Sequence, residues 1–311
     1  MNIFSLTTRL DTSWFFKFHD PNDKKLGDIV TYLEKDYKRS KYVLLGCPQD
    51  EGVKRNHGRP GAAEAPNEIR KCFYKFSVPA SLKSGCLFDA GNTILGETLE
   101  ETHDTQTKIV EQIIRDGKKL IVLGGGNDIS YPDCAGLAAV SKKLLAFNID
   151  SHFDVRKNKV RNSGTPYRQL LEENKIEPKN FFELAIQPFA NSEIYLNYLE
   201  KKRVKLFTLE LFRQKGIAKT LRTILKSNKS KSIFWGIDMD SVRSSDAPGV
   251  SASYPTGLTA EELLLIASIA GNDKRSAVVE ISEVNPKHDV DSRTCKLAAL
   301  AILKFLETVS I

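Results

Sequence analysis

Short apolar runs recur along the chain at 42–45, 86–88, 120–123, 144–149, 182–186, 204–208, 233–237 and 277–281. They do not alternate strictly with polar residues, which is the pattern of strands buried on both faces of a parallel sheet. Between them lie amphipathic stretches such as 105–115, 192–201, 218–226 and 259–269, with a last helix over 292–309 that is strongly apolar on one face. No Ser/Gly-rich linker, internal repeat or low-complexity tract interrupts this alternation. It predicts an α/β fold, a three-layer α/β/α sandwich around a mainly parallel sheet of about eight strands. Residues 1–40 form an irregular N-terminal segment, with a turn at Asp20-Pro21-Asn22-Asp23, and 41–311 a single catalytic-sized domain.

In such sheets ligands bind outside the carboxyl ends of the strands. The run 144–149 is closed by Asp150-Ser151-His152-Phe153-Asp154. On a strand alternate residues point the same way, so Asp150, His152 and Asp154 project together from its carboxyl end, and two carboxylates with an imidazole suit a divalent cation. Asp238 and Asp240 end the run 233–237, so two acid-bearing strand ends brought together would hold two metals. Gly124-Gly125-Gly126-Asn127-Asp128 follows 120–123, while Glu280 and Glu283 end 277–281. The glycine run lacks the spacing and the Lys-Ser/Thr of a phosphate loop, so it reads as close backbone approach to a ligand or a neighbouring strand. A lone acid after a strand is usually a helix cap, and Asp246-Ala247-Pro248-Gly249 reads locally as a turn. His19, His57, His103 and His288 stand alone and read as surface or capped histidines.

Composition changes this picture little. Hydrophobic content is 41% and charged content 27%, ordinary for a globular protein, and the net charge is +7. The basic residues are dispersed without interleaved aromatics, so no nucleic-acid surface is expected, and the charge is compatible with an acidic small substrate. Cys47, Cys72, Cys86, Cys134 and Cys295 are widely spaced without a C-x-x-C pair, which favours reduced thiols in a cytoplasmic protein. The first residues do not read as a signal peptide, and no apolar run approaches the roughly 20 residues needed to cross a membrane.

Taken in order, Gly46-Cys47-Pro48-Gln49-Asp50-Glu51-Gly52-Val53, Gly124-Gly125-Gly126-Asn127-Asp128, Asp150-Ser151-His152-Phe153-Asp154, Asp238-Met239-Asp240 with Ala247-Pro248-Gly249, and Glu283-Val284-Asn285-Pro286 resemble the arginase/agmatinase/formimidoylglutamase superfamily of binuclear manganese ureohydrolases. The resemblance implies an arginase-like sandwich around an eight-stranded parallel sheet and two Mn2+ per subunit. It implies that Asp150 and Asp238 bridge the metals, that Asp154 completes the first site, and that His152 and Asp240 complete the second. Asn127 stands where the family usually has a histidine ligand to the first metal, so that site is expected to bind weakly. The implied chemistry is attack of a metal-bridging hydroxide on an amidine or guanidine carbon, with Asp154 passing on the hydroxide proton and Glu283 pairing with the cationic substrate group.

Within the superfamily, the third glycine before Asn127, Asn162-Ser163-Gly164-Thr165-Pro166-Tyr167-Arg168-Gln169, Ile186-Gln187 with Asn191-Ser192, and Ala247-Pro248-Gly249-Val250-Ser251-Ala252 look like the formimidoylglutamase branch. That branch hydrolyses N-formimidoyl-L-glutamate to L-glutamate and formamide in histidine degradation. For so acidic a substrate, Arg156, Arg161, Thr165 and Arg168 are the expected binding residues, Arg168 leading, with Arg55 or Arg59 closing the pocket. The alternatives are a guanidino-compound hydrolase releasing urea and a non-catalytic relative that keeps the fold. The family also forms homo-oligomers, for which the apolar last helix offers a surface.

Overall fold

The computed structural model describes residues 2–18 and 20–307. All eight expected runs form strands: β1 (Tyr42–Gly46), β2 (Leu87–Asn92), β3 (Lys119–Leu123), β4 (Leu144–Ile149), β5 (Phe181–Ile186), β6 (Lys205–Thr208), β7 (Ser232–Asp238) and β8 (Ser276–Ser282). They make one eight-stranded sheet in the order β2-β1-β3-β8-β7-β4-β5-β6. Every neighbouring pair is parallel.

Alternate strand residues feed two separate cores, as the two-residue repeat requires. Tyr42, Leu44, Leu145, Phe147 and Ile149 face one core, while Val43, Leu45, Leu144 and Ala146 face the other. Helices Ala65–Phe73, Leu209–Lys215, Ile217–Ser227, Ala260–Asn272 and Arg293–Leu306 cover the first face. Helices Leu99–Arg115, Ser130–Val140, Pro166–Glu172 and Glu193–Lys202 cover the second. The result is an arginase-like three-layer sandwich. Each buried Val, Leu, Ile or Phe contributes about 1.5–3 kcal/mol, before the entropy of ordering it is set against that gain. Deep in the first core Trp235 stacks on Phe147 at 4.3 Å and donates its indole proton to Ser276 Oγ at 2.9 Å.

Two boundaries differ from expectation. The helix expected from 105 begins at Leu99, because Thr102, His103 and Gln106 occupy its buried face and conceal the apolar repeat. Its start is marked instead by a capping box between Thr98 and Glu101, worth about 1 kcal/mol. The last helix runs Arg293–Leu306, and Val309, its expected end, lies outside the described residues.

The N-terminal stretch consists of turns at Ile3–Ser5 and Thr12–Trp14 and of single-turn helices Leu26–Ile29 and Glu34–Tyr37. It is tied to the sheet edge through bridges Thr7 to Thr93 and Thr31 to Phe88. The five cysteines are free thiols. Among the described residues, no helix is long and apolar enough to cross a membrane.

What positions the site is the strand order. β3 leads outward to β1 and β2, β4 leads outward to β5 and β6, and the two late strands β8 and β7 are inserted between them. The carboxyl ends of β3, β8, β7 and β4 therefore stand side by side where the sheet changes direction, which is where open α/β sheets bind ligands.

Candidate active site

Strand β4 ends at Ile149, so Asp150, His152 and Asp154 are not aligned by strand alternation, contrary to the sequence expectation. The chain turns instead. Asp150 Oδ1 accepts the backbone N–H of His152 at 2.7 Å, folding residues 150–152 into a tight polar turn. The same device closes β7, where Asp238 Oδ1 accepts the N–H of Asp240 at 2.8 Å. Two strand ends thus use a first aspartate to aim a second ligand-type side chain two residues on.

These turns bring the five groups together. Asp150, His152 and Asp240 form one cluster, and Asp150, Asp154 and Asp238 a second, the donor atoms within each lying within 4.8 Å of one another. Asp150 belongs to both. His152 Nδ1 lies 3.1 Å from Asp240 Oδ2 and 3.4 Å from Asp150 Oδ1. Glu283 enters from the end of β8, its Oε1 accepting the Asn127 backbone N–H at 2.9 Å. Asp154 and Glu283 adopt left-handed backbone angles, with φ of 46° and 60°. Such a conformation costs a non-glycine residue about 1–3 kcal/mol, and strain of this kind concentrates at functional sites. The glycine run makes room: a Cβ on Gly125 would strike the carbonyl oxygen of Gln49, and Gly125 O in turn accepts the Glu283 N–H at 2.9 Å. The neighbouring backbone of the two alternatives is therefore what these glycines approach.

The electrostatics are those of a site short of positive charge. Burial, and then the neighbouring Asp240, push Asp150 up to about 6. Burial and the Asp150 charge push Asp154 up to about 7. Asp238 and Glu283 are driven well above the usual carboxylate range, again by burial first and by surrounding carboxylates second. Burial alone would lower His152, but attraction to Asp240 and Asp150 outweighs it and favours the charged ring. Asp240 Oδ1 is buried with no hydrogen-bond partner. Crowded carboxylate oxygens, one imidazole and an orphaned acceptor suit a hard or borderline divalent cation such as Mn2+, whose charge would offset the repulsion.

Asn127 sits among these groups in an unexpected orientation. Its Nδ2 donates to Asp154 Oδ2 at 2.5 Å and to Asp150 Oδ2 at 3.3 Å. Its oxygen accepts from the Ser282 hydroxyl at 2.9 Å and lies 2.9 Å from the Ser130 hydroxyl oxygen, whose one proton goes to Glu280 at 2.6 Å. The amide oxygen expected to face a cation is thus turned towards two serines.

The clusters form the floor of a cavity of about 390 Å³, whose wall includes Asn56, His57, Arg59, Arg156, Ser163, Asn191, Tyr195, Ser251 and Tyr254. Of the expected substrate-binding residues, Arg156 lines this cavity with Glu283, and Arg161, Thr165 and Arg168 do not. Arg161 lies over the Tyr131 ring at 4.5 Å. Thr165 is buried and donates to Asn162 O at 2.9 Å, holding a turn. Arg168 lies 3.9 Å above the Tyr198 ring and pairs with Glu172 and the carbonyl of Val155. Arg55 is taken up by Glu51 and Glu100, whereas Arg59 reaches the cavity while donating to the carbonyls of Val250 and Ser251.

His103 is neither a surface nor a capping residue: it is buried and bonded to Asp128 at 2.8 Å. His57 lines the cavity, and His19 lies outside the described residues. Asp246 accepts from Arg243 and from the backbone of Ala260, fixing its turn. Tyr254 and Tyr195 carried no signal in sequence, because isolated tyrosines in loop or helix patterns look like ordinary surface or packing residues.

The model of the Arginase family matches residues 40–307. Formimidoylglutamase of Staphylococcus aureus (strain bovine RF122 / ET3-1) is 33% identical over 315 residues, spanning 97% of this chain and 97% of that protein. Formimidoylglutamase of Bacillus subtilis (strain 168) is 30% identical over 303 residues, spanning 93% of each. Among solved structures, Trypanosoma cruzi formiminoglutamase with Mn2+2 superposes with a TM-score of 0.85 at 31% identity, covering 91% of this chain and 97% of that one. With a matching fold and a family match across residues 40–307, this chain belongs to the arginase family.

Proposed function

We propose that the chain is a Mn2+-dependent formimidoylglutamase, hydrolysing N-formimidoyl-L-glutamate to L-glutamate and formamide. The observation that carries this reading is the convergence of two acid-bearing strand ends on a shared, buried Asp150, with His152, Asp154, Asp238 and Asp240 lining a cavity whose wall holds Arg156. Asp150, Asp154 and Asp238 would hold one cation, and Asp150, His152 and Asp240 the other; the family resemblance adds Asp238 to both. Asn127 stays a candidate ligand to the first cation only if its amide turns over. When bound, two Mn2+ lower the pKa of water and stabilise negative charge developing at the attacked carbon.

The protein's own groups do the rest. Glu283, fixed by the Asn127 N–H, pairs with the substrate amidinium and aims its carbon at the cluster. Asp154, at the cavity floor, takes a proton and returns it to the departing nitrogen. The Arg156 guanidinium, which lies against Gly164 and whose charge also acts on Asp154, receives a substrate carboxylate. Arg59 is the second cation in the wall and suits the other carboxylate of the same substrate. The homologues named formimidoylglutamase at 30–33% identity support this substrate class.

The test incubates the Mn2+-loaded protein with formimidoylglutamate, agmatine and arginine, and measures formamide and urea separately. Formamide from formimidoylglutamate alone is expected. Urea from a guanidino substrate, without formamide, would replace this reading with a ureohydrolase, and two bound metals without turnover would replace it with a binding protein.

A further inference from the structure

We propose that Tyr254 is a positioning residue for this centre, holding His152 through its Nε2 so that Nδ1 is the nitrogen presented to the carboxylates. The inference rests on the reading that the clusters hold cations. His152 Nε2 lies 3.2 Å from the Tyr254 hydroxyl, on the opposite side of the ring from the Asp240 and Asp150 oxygens that face Nδ1. A neutral imidazole has one donor and one acceptor nitrogen, and the bond made by one decides which lone pair the other offers. With Nε2–H donating to the Tyr254 oxygen, Nδ1 is the nitrogen that would give up its proton and offer a lone pair to a cation. Without that acceptor the ring is free to take the other tautomer, which presents N–H to the cation instead. Partners of this kind on the far nitrogen orient metal-binding histidines generally.

The fold delivers Tyr254 with little freedom. The loop that follows Asp238 and Asp240 returns on itself: Leu258 N donates to Ser241 O at 2.8 Å and Arg243 N to Leu258 O at 3.0 Å. Within it Ser244 N donates to the Tyr254 carbonyl at 2.7 Å, which fixes the backbone that carries the ring. The return is tight enough that a Cβ on Gly257 would press on the Arg243 and Ser241 backbone.

On its outer side the Tyr254 ring meets Phe189 edge to face at 5.2 Å, and on its inner side the His152 ring at 5.8 Å. Phe189 is 63% exposed, so it belongs to no core and its ring contact is with Tyr254. The three rings stand at the ends of β4, β7 and β5, neighbours in the sheet, and form a row from the cluster to solvent. One strand end thus supplies the candidate ligand, the second supplies both Asp240 and the tyrosine that orients the ligand, and the third braces the tyrosine.

The test titrates Mn2+ into metal-stripped full-length protein by calorimetry, and records the electron paramagnetic resonance spectrum at two equivalents. Tyr254→Phe keeps the ring and removes only the hydroxyl. We expect one of its two sites to weaken by about tenfold, within the range for loss of an orienting partner, and the spectrum to shift from a coupled pair of ions towards isolated Mn2+. Phe189→Ala, at an exposed position that the core does not need, is expected to move both readouts in the same direction by less. Two Mn2+ bound by Tyr254→Phe as tightly as by the parent, with an unchanged spectrum, would overturn the role of Tyr254 and leave the metal centre standing. No Mn2+ bound by the parent protein would overturn both.

Discussion

Two groups of buried acids lie a few residues apart in this protein, and they resolve the same problem differently. At the cavity floor, Asp154, Asp238 and Asp240 border a space open to ligand, and the fully buried Asp150 joins both of their clusters. Behind them, Asp128, Asp133 and Glu280 are at least as deeply buried but line no part of that cavity. The rear acids have neutral or switchable partners: Gln106 donates to Asp133 at 2.7 Å, Ser130 to Glu280 at 2.6 Å, and Gln49 and His103 meet Asp128 at 2.6 and 2.8 Å. Burial pushes Asp133 up to about 7 and drives Glu280 well above the usual carboxylate range, so both favour the protonated form. The rear group therefore relieves its charge by keeping a proton. At the front, one imidazole, the Asn127 and Asn148 amides and a few backbone N–H groups serve the carboxylates, and relief by a cation is open to them. Each rear acid also keeps one buried oxygen without a partner, so what separates the front group is its opening to a cavity and not its supply of donors.

The comparison can be broken most forcefully at Asp238. Asp238→Asn keeps the shape and removes one charge from the front group. Calorimetry should show Mn2+ binding weakened by at least about 100-fold, and formamide release should fall with it. The same variant should melt at a higher temperature than the parent when both are metal-free, because it relieves repulsion at a buried group. A lower melting temperature would mean that the front acids are already compensated.

A smaller effect is expected at the wall. Arg156→Ala should raise KM for formimidoylglutamate by about 10- to 100-fold, the value of a hydrogen bond to a charged group, with kcat changed much less. Arg168→Ala, removing a guanidinium that already lies on Tyr198, should leave KM within about twofold and cost only about 0.5–1 kcal/mol in stability.

The smallest effect concerns the rear group, where the sign is definite. Asp133 binds its proton more tightly folded than unfolded, 3.8 rising to about 7. Its stabilising share is thus complete below about pH 4 and lost as pH rises through about 7. Asp133→Asn, which can still accept from Gln106 and donate to Glu280, removes that dependence. Relative to the parent it should gain melting temperature at pH 8 over its standing at pH 4. Parallel melting curves across that range would show that Asp133 is ionised in the folded protein after all.

Much of this architecture was legible in the chain. Continuous apolar runs identify strands covered on both faces, and all eight were recognisable from that pattern alone. The acids that end β4 and β7 were equally visible, since a polar cluster directly after an apolar run is a local feature. Less visible was the start of the helix at Leu99, where His103 and Gln106 turn inward to serve Asp128 and Asp133 and so break the apolar repeat. The same partnership removed His103 from the class of lone surface histidines.

The arginines show where local reading stops. Arg156, Arg161 and Arg168 lie within one stretch and are chemically alike, yet only Arg156 reaches the cavity. Which of them does so depends on Tyr131 and Tyr198, aromatic rings from other helices that take up the other two.

By itself, then, the sequence determined the strands, their two-sided burial and the ligand-type residues at their ends, because hydrophobic periodicity and strand-end polarity are properties of neighbours along the chain. Only the tertiary structure decided that β8 and β7 lie between β3 and β4, that Asp150 is shared by two clusters, that the Asn127 oxygen turns towards Ser130 and Ser282, and that Tyr254 meets His152. Most of those facts join residues far apart along the chain, as Tyr254 and His152 are with a separation of 102 and Asn127 and Ser282 with one of 155. Their geometry is fixed by how helices pack on both faces of the sheet, which no local pattern encodes.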